Sequence, residues 1–124
     1  MKYIIFQLDA TNKTVTDNRL LFEGWFRASK TIQEHSLSLY KQVYEGEKPD
    51  GEVFGRLVSS ILEQLFIDFN SGTRPDFHGH SLSVSDIICL QDGPNKDYYF
   101  CDSYGWMKIL NINEPGKVTA IKLK

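Results

Sequence analysis

The sequence predicts a single α+β domain, with a mainly antiparallel sheet, one long amphipathic helix packed on it over about residues 52–69, and two hairpins toward the C-terminus. Three observations lead there. Lys2 to Leu8 (KYIIFQL) is rich in Ile, Tyr and Phe, which suits a strand. From Val53 to Phe69 the apolar residues fall at three-four spacing, the mark of an amphipathic helix. After that come two pairs of β-prone runs, each flanking a turn-forming segment. Strand, then helix, then hairpins argues for α+β over a parallel fold.

Taken in order, the first strand is mostly apolar and is expected at the centre of the sheet. Ala10 to Asn18 is polar and reads as a loop. Leu20 to Ala28 is apolar and aromatic, and Ser29 to Val43 mixes helix and strand signals. The acidic stretch Glu45 to Glu52 then leads into the helix, with Asp50 placed to cap it and Asn70-Ser71-Gly72 to stop it. Leu57, Ile61 and Leu65 are expected on its buried face, with Arg56, Ser60 and Glu63 more exposed. Ile87–Gln91 and Asp97–Cys101 flank Asp92 to Lys96 as a first hairpin. Met107–Ile112 and Val118–Leu123 flank Asn113 to Lys117 as a second.

The 124 residues, 14.3 kDa, are one domain's length, so 1–124 is read as a single unit. A composition of 41% hydrophobic and 24% charged residues is that of a chain with its own core. Fourteen Lys and Arg against sixteen Asp and Glu leave a formal net charge of −2. A basic footprint for nucleic acid is absent, and the charge is too small for a carboxylate-dense DNA mimic. The opening apolar run is too short for a secretory signal, so a cytoplasmic location and reduced Cys89 and Cys101 are expected, although the two thiols could be cross-strand neighbours.

The densest stretch is Phe69-Asn70-Ser71-Gly72-Thr73-Arg74-Pro75-Asp76-Phe77-His78-Gly79-His80-Ser81-Leu82-Ser83-Val84-Ser85-Asp86-Ile87-Ile88, continued by Tyr98-Tyr99-Phe100-Cys101-Asp102-Ser103-Tyr104-Gly105-Trp106. This resembles the YodL-like family, whose pattern joins an SLSVSD segment to a DS-x-G-aromatic turn. Tyr40 to Gly46 also resembles the family's Y-x-x-V-Y-x-G element. The resemblance brings no catalytic activity. Such domains occur in Firmicutes, in their phages and in conjugative elements, often beside antirestriction modules, so it implies counter-defence or control of a host protein.

Each candidate group has a structural and a functional reading. Ser81, Ser83 and Ser85 alternate with Leu82 and Val84, so in an extended segment their hydroxyls would share one face and Asp86 would fall on the apolar one. Asp86 is then a buried carboxylate held by loop donors. The competing reading joins His78 or His80, a serine, and Asp86 or Asp102 into a hydrolytic triad, without the G-x-S-x-G elbow. His78 and His80 could instead meet a metal, although no C-x-x-C accompanies them.

Asp102 and Gly105 form a turn. Arg74, His78, His80, Tyr104 and Trp106 are the candidate partner or ligand contacts, as an arginine and aromatics commonly are. The expected function is therefore non-enzymatic binding to a host protein, a defence system such as a CRISPR effector, with no cofactor. The alternatives are a small anionic-ligand binder, with Tyr104 or Trp106 stacking on a base, and a hydrolase.

Overall fold

The computed structural model describes residues 1–71 and 76–123. Strand β1 (Lys2–Leu8) alternates its side chains between two faces, and both faces are covered. It lies between β2 (Tyr40–Glu47) and β3 (Ile87–Asp92), each antiparallel to it, which bears out its central placement. With β4 (Asn95–Asp102), β5 (Gly105–Leu110) and β6 (Thr119–Lys122) it forms a six-stranded sheet in the order β2-β1-β3-β4-β5-β6. Both expected hairpins are present, and the Ser103-Tyr104 turn links them into a four-strand meander. The class is α+β, as predicted.

The helices fall on both faces. Helices α1 (Lys13–Asp17) and α2 (Trp25–His35) give Val15, Ala28 and Ile32 to a core shared with Leu8, Ile87, Phe100 and Ile109. Helix α4 (Val58–Asn70) covers the other face through Ile61, Leu62, Leu65 and Phe69, against Tyr3, Ile5, Ile88, Leu90 and Tyr99. Helix α1 lies inside the segment read as a loop, where the Asn12 side chain accepts from the Thr14 and Val15 amides. Helix α2 occupies the segment whose signals were mixed.

The single long helix is not borne out. A short turn, α3 (Asp50–Val53), ends at Phe54, and α4 starts only at Val58. Gly55 between them takes a positive φ of 72°, which an α-helix does not allow. The interruption turns Phe54 and Leu57 outward, leaving Leu57 74% exposed where a buried residue was expected. Asp50 is the first residue of α3 and Pro49 its N-cap. Ile61 and Leu65 are buried as expected. The thiols of Cys89 and Cys101 are free and not opposed, since Cys89 faces Tyr98 across the ladder and Cys101 faces Trp106. No described helix is long and apolar enough to cross a membrane.

Ile61→Ala should therefore destabilise the fold by about 2 to 5 kcal/mol, the usual range for a truncated core aliphatic. Leu57→Ala should change it by no more than about 0.5 kcal/mol, as expected of an exposed position. Urea unfolding of the two variants beside the parent measures both.

Candidate functional site

Gln7 is a polar residue inside an apolar strand, on the face of β1 that also carries Tyr3 and Ile5. It is 1% exposed, so its amide must find partners in the protein. Asp86, immediately before β3, faces it and is fully buried. The Gln7 Nε2 donates to Asp86 Oδ2 at 3.0 Å and to the His80 carbonyl at 2.9 Å, while Gln7 Oε1 accepts from the His80 amide at 3.1 Å. The Ser83 amide donates to the same Asp86 oxygen at 2.9 Å. Asp86 Oδ1 has no hydrogen-bond partner among the described residues and lies 3.9 Å from His80 Nε2.

The chemistry of this pair follows from desolvation. Burial disfavours the charged carboxylate and raises the Asp86 pKa to about 7, against the opposing pull of the Ser83 amide, the His80 charge and the Gln7 amide. His80 Nδ1 lies 2.7 Å from the Ser81 carbonyl, which can only accept, so Nδ1 carries a hydrogen. Its 3.2 Å approach to Gln7 Nε2 is then donor against donor and is not a bond. Nε2 is left as the ring atom facing Asp86.

The serines do not share one face. Ser85 has a positive φ of 85°, and the Asp86 amide closes a turn onto the Ser83 carbonyl, so the segment is not continuously extended. Ser81 is exposed. The Ser83 hydroxyl is buried without a hydrogen-bond partner among the described residues, and the Ser85 hydroxyl accepts from the Phe22 amide at 3.2 Å. Tyr40 donates its phenol to the Ser85 carbonyl at 2.8 Å, and burial together with the Asp86 charge pushes that phenol well above its ordinary pKa. Ser85 and Asp86 also exchange backbone bonds with Cys101, which joins the loop to β4.

Asp102 performs a second long-range task. Helix α2 begins after Gly24, which has no side chain to cap it, and Asp102 Oδ1 accepts from the Trp25 amide at 2.9 Å instead. A Cβ on Gly24 would sit 2.7 Å from that oxygen, so only glycine admits this approach. Gly105 takes the positive φ expected of its turn, 130°. One end of the sheet thus gathers the loop before α2, the His80 to Ser85 segment and the Ser103-Tyr104 turn.

Three aromatic rings project from that end: Phe22, Phe26 and Tyr104, the last two 95% and 91% exposed. The Phe22 ring meets His80 edge-on at 5.2 Å. Beside the Tyr104 turn lies an open cleft of about 210 Å³, whose lining includes Trp106, Phe66 and Cys101 together with Glu63 and Asp102. Trp106, a candidate contact in the sequence, is 4% exposed, and its indole donates to Glu63 Oε1 at 2.9 Å. His78 and His80 are exposed, and Arg74 lies outside the described residues. Phe22, Phe26, Gln7 and Tyr40 escaped the sequence reading. A polar residue inside an apolar strand was the available signal for Gln7.

The model of the YodL-like domain matches residues 2–112, from β1 to just beyond β5. The chain belongs to this family. Both SLSVSD and DSYGW, the segments that carry the resemblance, meet in the YodL-like domain at one end of the sheet, where Asp86 and Asp102 hold it together. No curated protein and no solved structure matches the chain. Among the described residues of this YodL-like domain no group of three or more His, Cys, Asp or Glu is placed to hold a metal.

The Asp86 environment makes stability depend on pH. Folding raises this pKa from 3.8 to about 7. Below pH 3.8 both states keep the proton and the stabilisation is complete. As pH climbs toward 7 the unfolded chain releases the proton and the folded chain retains it, so stability falls. Asp86→Asn should remove that part of the slope in unfolding curves recorded across this window. Asp86→Ala should cost about 1 to 3 kcal/mol at pH 5 by leaving one Gln7 N–H and the Ser83 N–H unpaired.

Proposed function

We propose that this YodL-like domain is a non-enzymatic binding protein that acts on a host protein through the end of the sheet ordered by Asp86 and Asp102. The observation that carries the reading is the exposure of Phe22, Phe26 and Tyr104 there. Large rings held out by a rigid frame lose little entropy on binding and are common interface anchors. The family setting in phages and conjugative elements, implied by the resemblance, supports a target in host defence, such as a CRISPR effector.

Several features favour binding over catalysis. His80 turns Nε2 toward Asp86, so in a triad its Nδ1 would have to meet a nucleophile, and Nδ1 is instead held on the Ser81 carbonyl. Burial, with the charges of Asp86, Glu63 and Asp102, pushes the Cys101 thiol up to about 12, so it is a poor nucleophile. The Glu63 and Asp102 carboxylates that line the cleft disfavour an anionic ligand.

Phe26→Ala combined with Tyr104→Ala should weaken binding to the captured partner at least about tenfold, since two anchors are lost. Its melting curve should match the parent's, because both rings are exposed. Ser83→Ala, His80→Ala and Cys101→Ser should each keep measurable function. Loss of all function in one of these three at unchanged stability, with the ring variant binding normally, would establish an enzyme instead.

A further inference from the structure

The cleft beside Tyr104 combines two chemistries. Trp106 and Phe66 give it apolar lining, and Glu63 and Asp102 line it as well. Each carboxylate has one oxygen engaged, Glu63 by the Trp106 indole and Asp102 by the Trp25 amide, and the other oxygen free of hydrogen bonds among the described residues. None of the described residues lining the cleft is cationic. The local field is negative: Glu63 and Asp102, with Asp86, contribute to holding the Cys101 thiol in its neutral form, after burial.

We propose that this cleft receives an arginine side chain of the partner protein. An arginine stem is apolar and its planar head carries paired donors, so the stem matches Phe66 and Trp106 while the guanidinium reaches the free oxygens of Glu63 and Asp102. The volume of about 210 Å³ accommodates one long side chain, not a folded segment. Tyr104 belongs to the turn that borders the cleft, so the arginine would enter alongside the exposed ring surface. The inference rests on the binding-protein reading and specifies the chemistry of what is bound.

The blocked peptide acetyl-Gly-Arg-Gly-amide is a probe of the cleft alone, and the Trp106 indole N–H resonance of the full chain is the readout, told apart from Trp25 by Trp25→Phe. A saturable shift is expected with this peptide. Replacing its arginine by citrulline, which has the same shape and no charge, should weaken the effect at least about tenfold, and so should Glu63→Gln, which keeps an acceptor for the indole. Equal binding of the citrulline peptide, an unaffected Glu63→Gln variant, or no shift at millimolar peptide would each overturn the assignment. Should the peptide fail while the Phe26 and Tyr104 variant still loses the partner, only the cleft assignment falls. Should the peptide bind and that variant keep its partner, the aromatic surface falls and the cleft stands.

Discussion

A carboxylate with no access to water organises one end of this sheet. Asp86 takes two donors on one oxygen, from Gln7 on β1 and from the Ser83 amide in its own loop. An ionised group in that position is costly unless it is paired, and its pKa near 7 shows that the pairing only partly compensates the lost hydration. Once Asp86 is fixed, much follows from it. Gln7 is aimed at both polar backbone atoms of His80, Ser85 turns its hydroxyl to Phe22, and Tyr40 caps the Ser85 carbonyl. A network of this type narrows the conformations of a loop because each member left unpaired carries a desolvation penalty.

That constraint connects to the surface. Phe22 is held by its amide on Ser85 and by its ring on His80, so its exposure comes from the buried network and not from a loose loop. Asp102 does the same for the start of α2, which sets where Phe26 projects. The two segments that carry the family resemblance therefore supply the hydrogen bonds that order this end of the sheet. Glu63 on α4 then closes the side of the cleft by holding the Trp106 indole.

The sheet was legible because period-two strands and turn residues are local signals. KYIIFQL, the first hairpin and the Asp102 to Trp106 segment all read correctly at short range, although the strands extend to Asp92 and from Asn95 and shorten the expected five-residue turn to Gly93-Pro94. Helix α2 was not, since only Ala28 and Ile32 of its residues are buried and its capping group lies 77 positions away on Asp102. The apparent continuity of the helix through Leu57 had the opposite cause. The three-four pattern persists in the sequence, but a glycine with positive φ rotates Phe54 and Leu57 out of register with the core. Asp86 was recognisable as a buried carboxylate from its place beside Ile87 and Ile88. Its partner Gln7, 79 residues distant, could be found only in three dimensions.

Backbone hydrogen exchange in Gln7→Leu tests most directly whether the buried network orders this end of the molecule. Leucine is apolar and one heavy atom smaller, so it removes the hydrogen bonds while filling most of the same space. The account predicts that the amides of His80, Ser83 and Ser85 lose protection while those of β1, β2 and α4 keep theirs. Unchanged protection from His80 to Ser85 would mean that the loop is held by packing alone, and Asp86 would lose its central place.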